Sequence, residues 1–165
     1  MAYRVEAKTT VLHAPMHPLG KLGNGLIMTM QLDLSSLVNA LLRLDEALQA
    51  HGAAPENTLY RDATIQRFEF SYELSHKMLK RYLEMASPNP AGIDEMAFPD
   101  MIRSASEQGL LRSGWDRWKD YRKARSIPSH TYDEEKARQV MLIIPEFLEE
   151  ARALLRELQK RSVHA

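Results

Sequence analysis

At 165 residues the chain is the size of one ordinary domain, long enough to bury a real core. Its 22 Lys and Arg balance 22 Asp and Glu, so no global field steers it toward nucleic acid or a membrane. Cysteine is absent, which excludes disulfides, thiol nucleophiles and cysteine-based metal sites. With no apolar run long enough for a bilayer and no basic-then-apolar leader, the expectation is a cytoplasmic protein with no membrane partner.

Residues 1–30 lack sustained periodicity and are punctuated by Pro15, Pro18, Gly20, Gly23 and Gly25, so they read as an N-terminal arm. Met28 and Met30 precede the first clear helix, so translation is expected to begin there, making residues 1–27 an upstream extension. A domain spanning 31–165 follows. Its first helix starts near Asp33 or Ser35, both able to cap it. Leu34, Leu37, Val38, Leu41, Leu44 and Leu48 form its apolar stripe, and Gly52 is expected to stop it. Asn57 or Thr58 caps a second helix running to about Ala86, with Ile65, Phe68, Tyr72, Leu79 and Leu83 on one face. His76 falls on that face and reads as a packed or edge histidine. Glu73 stands four residues before Lys77, the spacing of a solvent-facing ion pair.

Ser87 to Gly92, rich in proline and asparagine, reads as a loop. Pro99 suits the first turn of a short third helix, Asp100 to Gln108, ended by Gly109. Ser113 is a candidate cap for a fourth helix carrying Trp115, Trp118, Tyr121 and Arg122, which Pro128 ends. Thr131 and Glu134 then match a capping box, and Asp133, Glu134 and Glu135 load the first turn of a last helix with the negative charge its dipole prefers. That helix carries the stripe Val140, Ile143, Ile144, Phe147, Leu148, Leu154, Leu155 and Leu158, with Pro145 expected to kink or divide it. No strand pattern and no repeat is present. The fold class is all-α, an up-and-down bundle of four or five helices.

The break between the last two helices, Arg125 to Tyr132, gathers an arginine, a histidine and a tyrosine. In an unbroken helix Arg125 and His130 would face different directions, but Ile127-Pro128 removes that restriction. Two readings stand on residue chemistry alone. The arginine answers a helix dipole and the histidine is inert in a turn, or the two converge on a phosphate, the histidine as acid or base and the arginine as charge stabiliser. Arg112, Arg117, Lys119, Arg122, Lys123 and Arg125 make the approach locally basic, opposed by Asp116 and Asp120. Cationic groups interleaved with aromatic faces suit a phosphate backbone with unstacked bases, although tryptophans at helical spacing belong more naturally to a core.

Arg125, four residues, His130, one residue and Tyr132 resemble the R-x4-H-x-Y motif of HepT-type HEPN domains, also called nucleotidyltransferase substrate-binding proteins. Arg61 to Leu74 is similar to the family's second-helix signature, Ser129 to Glu135 to its histidine segment, and Ile144-Pro145-Glu146-Phe147-Leu148 to its C-terminal run; together the resemblance covers about residues 33–160. It implies a HEPN bundle that forms a homodimer with the two motifs near the twofold axis. It also implies a minimal nucleotidyltransferase antitoxin as partner and an RNA substrate cut without metal or cofactor. Arg125 and His130 would then be catalytic, and Tyr132 would be the residue silenced by AMP transfer. Ser126, Arg122 and Lys119 would support RNA binding. Members of that family usually carry asparagine directly after the arginine; Ser126 keeps a hydroxyl but lacks the amide's two donors. The alternative is a non-catalytic subunit that binds substrate or nucleotide for the nucleotidyltransferase.

Overall fold

The computed structural model describes residues 32–127 and 133–163. The N-terminal arm, Met28, Met30, Pro128, Ser129, His130, Thr131 and Tyr132 lie outside the described residues.

Six helices and no strand occur among the described residues: α1 (Ser35–Ala53), α2 (Thr58–Ala86), α3 (Pro90–Asp94), α4 (Phe98–Glu107), α5 (Trp115–Arg125) and α6 (Glu134–Val163). The four that build the bundle, α1, α2, α5 and α6, run up, down, up and down. Ser71 donates to the Ala40 carbonyl (3.3 Å) and Arg67 to the Arg43 carbonyl (2.7 Å), a register that makes α1 and α2 antiparallel. Arg61 meets Glu134 at one level of α2 and α6, and Phe68 meets Phe147 farther along, so those two helices are parallel. α3 and α4 occupy the excursion between α2 and α5, and no helix among the described residues is long and apolar enough to cross a membrane.

The core is the sum of the stripes. Leu37, Leu41, Leu44, Ile65, Phe68, Leu79, Ile144, Phe147, Leu154 and Leu158 are all buried. Each large apolar side chain removed from water stabilises by about 1.5–3 kcal/mol, enough collectively to offset the ordering of the chain. An aromatic knot ties α2, α5 and α6 together. The ring of Phe147 meets Phe68 edge-on at 5.0 Å and Tyr121 at 5.5 Å, while Trp118 meets Tyr121 at 5.8 Å. Of the two tryptophans that helical spacing assigned to the core, Trp118 is completely buried and Trp115 is partly buried against it; Tyr121 is completely buried as well.

Several helix ends differ from the sequence expectation, each for a local reason. Gly52 does not stop α1; it stays right-handed inside the helix, which ends at Ala53 with Ala54 as its C-cap. Pro55 drives that end, because it biases the residue before it out of the helical region, and Ala54 sits at φ −143° and ψ 70°. Asn57 caps α2 as expected, accepting from the Leu59 amide at 3.0 Å. The stretch after α2 is not wholly loop: Asn89 accepts from Gly92, and Pro90 at the first position nucleates the one-turn α3. α4 ends in a Schellman motif. The Gly109 amide donates to Ser106 and the Leu110 amide to Ala105, both at 3.0 Å, with Gly109 at φ 71°, where a side chain would be strained.

Ser113 does not cap α5; Gly114 holds that position. The Ser113 hydroxyl instead donates to buried Glu150 of α6 at 2.8 Å. At the start of α6, Asp133 accepts the Glu135 and Lys136 amides, both at 3.1 Å, and Glu134 pairs with Arg61; the capping box expected with Thr131 lies outside the described residues. Pro145 neither divides nor ends α6, which continues through it. It sits on the exposed side, where the carbonyl that loses its partner is open to water.

Candidate functional site

A groove of about 700 Å³ runs between α2 and α5 and is closed at one end by Phe98 of α4. Its α2 wall is one helix face, contributing Tyr72, Glu73, His76, Lys77 and Lys80 at helical spacing. Its α5 wall is the C-terminal turn, with Arg122, Arg125 and Ser126. The groove thus ends at the helix break singled out in the sequence, and α6 resumes at Glu134, which Arg61 holds against the start of α2.

The basic character of α5 is divided by its tertiary partners. Arg117 turns toward α6, donating through Nε to Glu146 at 2.7 Å and pairing with Asp120 at 3.1 Å. That guanidinium holds the Glu146 carboxyl below its ordinary range. Tyr121, buried behind the pair, donates to Glu146 at 3.2 Å, and burial pushes its hydroxyl up to about 12. Lys119 and Lys123 are exposed but lie outside the groove lining. Arg122 and Arg125 are therefore the α5 cations that face the cavity.

Arg125 forms an ion pair with Glu73 across the groove. Both groups are exposed enough for water to screen them, so the pair is a weak and exchangeable contact. The local Glu73–Lys77 pair expected from spacing is replaced by this one, because α5 brings a guanidinium with two donor edges to the same carboxylate. Lys77 makes no ion pair among the described residues and remains a groove cation. Lys80, one turn on, is engaged by Asp94 and lies 3.8 Å from Glu84.

His76 is the packed histidine read from the sequence, and it also faces the groove. It packs edge-on against Phe98 with ring centres 4.7 Å apart, as a packed histidine should, yet it also lines the cavity. Arg122 stacks over the opposite side of the site, 5.2 Å from the Phe98 ring centre. Burial lowers the His76 pKa, and the charges of Lys80 and Arg122 lower it further, so its imidazole is neutral at pH 7. Burial pushes the Tyr72 hydroxyl up to about 12, against the opposing pull of Arg122 and Arg125. The signal that would have found His76 was its spacing from Glu73, three residues on one face; what could not be read was which helix that face meets.

Ser126 lines the groove, but its hydroxyl donates to the Lys123 carbonyl at 2.6 Å and helps close the end of α5. The structure thus brings Arg122, Arg125 and Ser126 to one cavity, leaves Lys119 outside it, and positions the ends of the two helices between which His130 and Tyr132 fall. A cavity with two arginines, two lysines, a neutral imidazole and one carboxylate is suited to a phosphodiester flanked by a nucleobase.

Comparison with known proteins places the chain among relatives. The family described as nucleotidyltransferase substrate binding protein-like matches residues 32–160. A Haemophilus influenzae protein named probable ribonuclease HepT is 44% identical over 107 residues, which are 65% of this chain and 72% of that protein. A Haemophilus influenzae structure described as revealing the fold of a substrate binding domain of a nucleotidyltransferase superposes with a TM-score of 0.71 at 35% identity, over 77% of this chain and 99% of that one. A crystal structure from Thermus thermophilus gives 0.58 at 30% identity, over 74% and 98%.

Proposed function

The chain belongs to the nucleotidyltransferase substrate binding protein-like family, and from that membership together with the groove we propose that it is a HepT-type HEPN ribonuclease, the toxin of a pair whose antitoxin is a minimal nucleotidyltransferase. The observation that carries this reading is the placement of Arg125 and Arg122 on one cationic groove at the helix break that holds His130.

In the proposed reaction an imidazole takes the proton of a ribose 2′-hydroxyl and the resulting oxygen attacks the adjacent phosphorus. The bond to the 5′ oxygen breaks and that oxygen is protonated, leaving a 2′,3′-cyclic phosphate and a 5′-hydroxyl end. His130 performs one of these two proton transfers. Arg125 leaves Glu73 for the phosphate and stabilises the charge that builds on the non-bridging oxygens, a preorganised role that needs no metal. Lys77 holds the flanking backbone. The partner transfers AMP from ATP to the Tyr132 hydroxyl with release of pyrophosphate, and the added bulk and negative charge exclude RNA. A homodimer would bring two such motifs together.

A non-catalytic substrate-binding subunit is the second reading, and Ser126 favours it. The family's asparagine would present two amide donors at this position, whereas the serine hydroxyl is engaged by the Lys123 carbonyl. Incubation of purified protein with single-stranded RNA in the presence of a chelator separates the two. Cleavage that is lost in Arg125→Ala and His130→Ala supports the nuclease, and intact RNA with wild type refutes it. Incubation with the partner and ATP followed by peptide mass spectrometry checks the modification; AMP on any residue but Tyr132 refutes that assignment.

A further inference from the structure

The groove has two rungs. On α2, Glu73 and His76 are three residues apart on one face; on α5, Arg125 and Arg122 are likewise three apart. Because the two helices run antiparallel, Glu73 meets Arg125, and His76 falls opposite Arg122. The first rung is the phosphate end of the proposed nuclease site. The second has different chemistry. Its floor is the Phe98 ring, covered by the Arg122 guanidinium 5.2 Å from the ring centre, and its side is His76.

Three properties of this rung fit a nucleobase rather than a second phosphate. Phe98 is only partly buried, and the guanidinium that covers it belongs to an exposed side chain, which can swing out so that a base stacks on the ring or on the guanidinium. Arg122 makes no ion pair among the described residues, and a guanidinium stacks on a planar ring as readily as it binds an anion. The His76 imidazole makes no hydrogen bond among the described residues. In its neutral form it offers one donor and one acceptor, the minimum needed to read a base edge and a poor match to an anion. The charged groups sharing the groove with it are Glu73, Lys77 and Lys80 on its own helix and Arg122 and Arg125 from α5, while Phe98 of α4 contributes none.

We propose that His76, Phe98 and Arg122 form a base-recognition subsite for an unpaired ribonucleotide next to the phosphate held by Arg125. The proposal rests on the ribonuclease reading for its ligand class and adds what that reading lacks, a structural basis for sequence preference. The side chains select which RNA linkage enters the first rung, since a base seated at His76 fixes the register of the backbone along the groove.

The test uses full-length protein and four 5′-labelled single-stranded RNA hexamers, each a homopolymer of one base, with binding followed by fluorescence anisotropy. Wild type is expected to prefer one base by roughly tenfold, the scale of one good stacking or edge contact. In His76→Ala and in Arg122→Ala that preference should fall below about twofold. Arg122 is exposed, so its variant folds whatever becomes of the half-buried histidine. Arg125→Ala should weaken all four hexamers alike and keep their ratio, and Lys123→Ala, which removes a charge outside the groove, should also keep it. Equal binding of all four hexamers by wild type, or an undiminished preference in Arg122→Ala, overturns the subsite. RNA binding with preference but without cleavage sinks the nuclease reading and leaves the subsite standing, so the two failures are distinct.

Discussion

Replacing Glu150 by alanine tests whether one buried carboxylate positions α5. Glu150 is only 3% exposed. It accepts the Arg112 amide at 2.9 Å, the Ser113 amide at 3.3 Å and the Ser113 hydroxyl at 2.8 Å, so it substitutes for a cap in the turn that launches α5. A hydrogen bond to an ionised acceptor contributes about 1.5–3 kcal/mol net. The bond from the Ser113 amide is long, Arg112 is exposed enough for its amide to regain water, and removing the carboxylate also removes its own desolvation cost. The expected loss in Glu150→Ala is therefore about 2–4 kcal/mol, out of a total stability of ~5–15 kcal/mol. That corresponds to a fall in Tm of about 10 °C. Glu150→Gln keeps an acceptor for both amides and should lose about 1 kcal/mol. Urea unfolding followed by the fluorescence of Trp115 and Trp118, both on α5, measures the change directly. An alanine variant within about 0.5 kcal/mol of wild type would show that the bonds merely offset desolvation and that the aromatic knot alone seats α5.

Glu73→Gln removes the charge that competes with phosphate for Arg125, so RNA affinity should rise severalfold with little change in stability; unchanged or weaker binding by anisotropy refutes the competition. His76 has a folded-state pKa below its unfolded value, so the unfolded chain binds its proton first as pH falls. Its contribution is complete above the unfolded value near 6.5 and is lost as pH drops through the lower folded value. His76→Phe should therefore flatten the dependence of urea midpoint on pH between about 7 and 5, and a slope identical to wild type would contradict the assigned burial. Ser126→Asn restores the amide donors at the end of α5 and should raise RNA cleavage in the chelator assay; no gain would remove Ser126 as the residue that limits catalysis.

The helices themselves were legible because they are local. Apolar residues three and four apart define a face whatever lies opposite, and the stripes of α1, α2 and α6 became the core. Gly109 could be read as a stop because its signal lies within one turn, whereas Gly52 could not, since Pro55 decided that end. Arg125, Arg122 and Ser126 were reachable from a motif and a run of charge. Their partners were not. Spacing offered Glu73 the nearby Lys77 and Ser113 its own helix, but the structure gives them Arg125 and Glu150, which lie 52 and 37 residues away. His76 is the sharpest case. Its place on an apolar face was set by the sequence pattern, and its role was decided by α4 and α5, which bring Phe98 and Arg122 against it. Periodicity sets the direction in which a side chain leaves its own helix, while the order and rotation of the packed helices set what it meets, and the chemistry of the groove belongs to that second step.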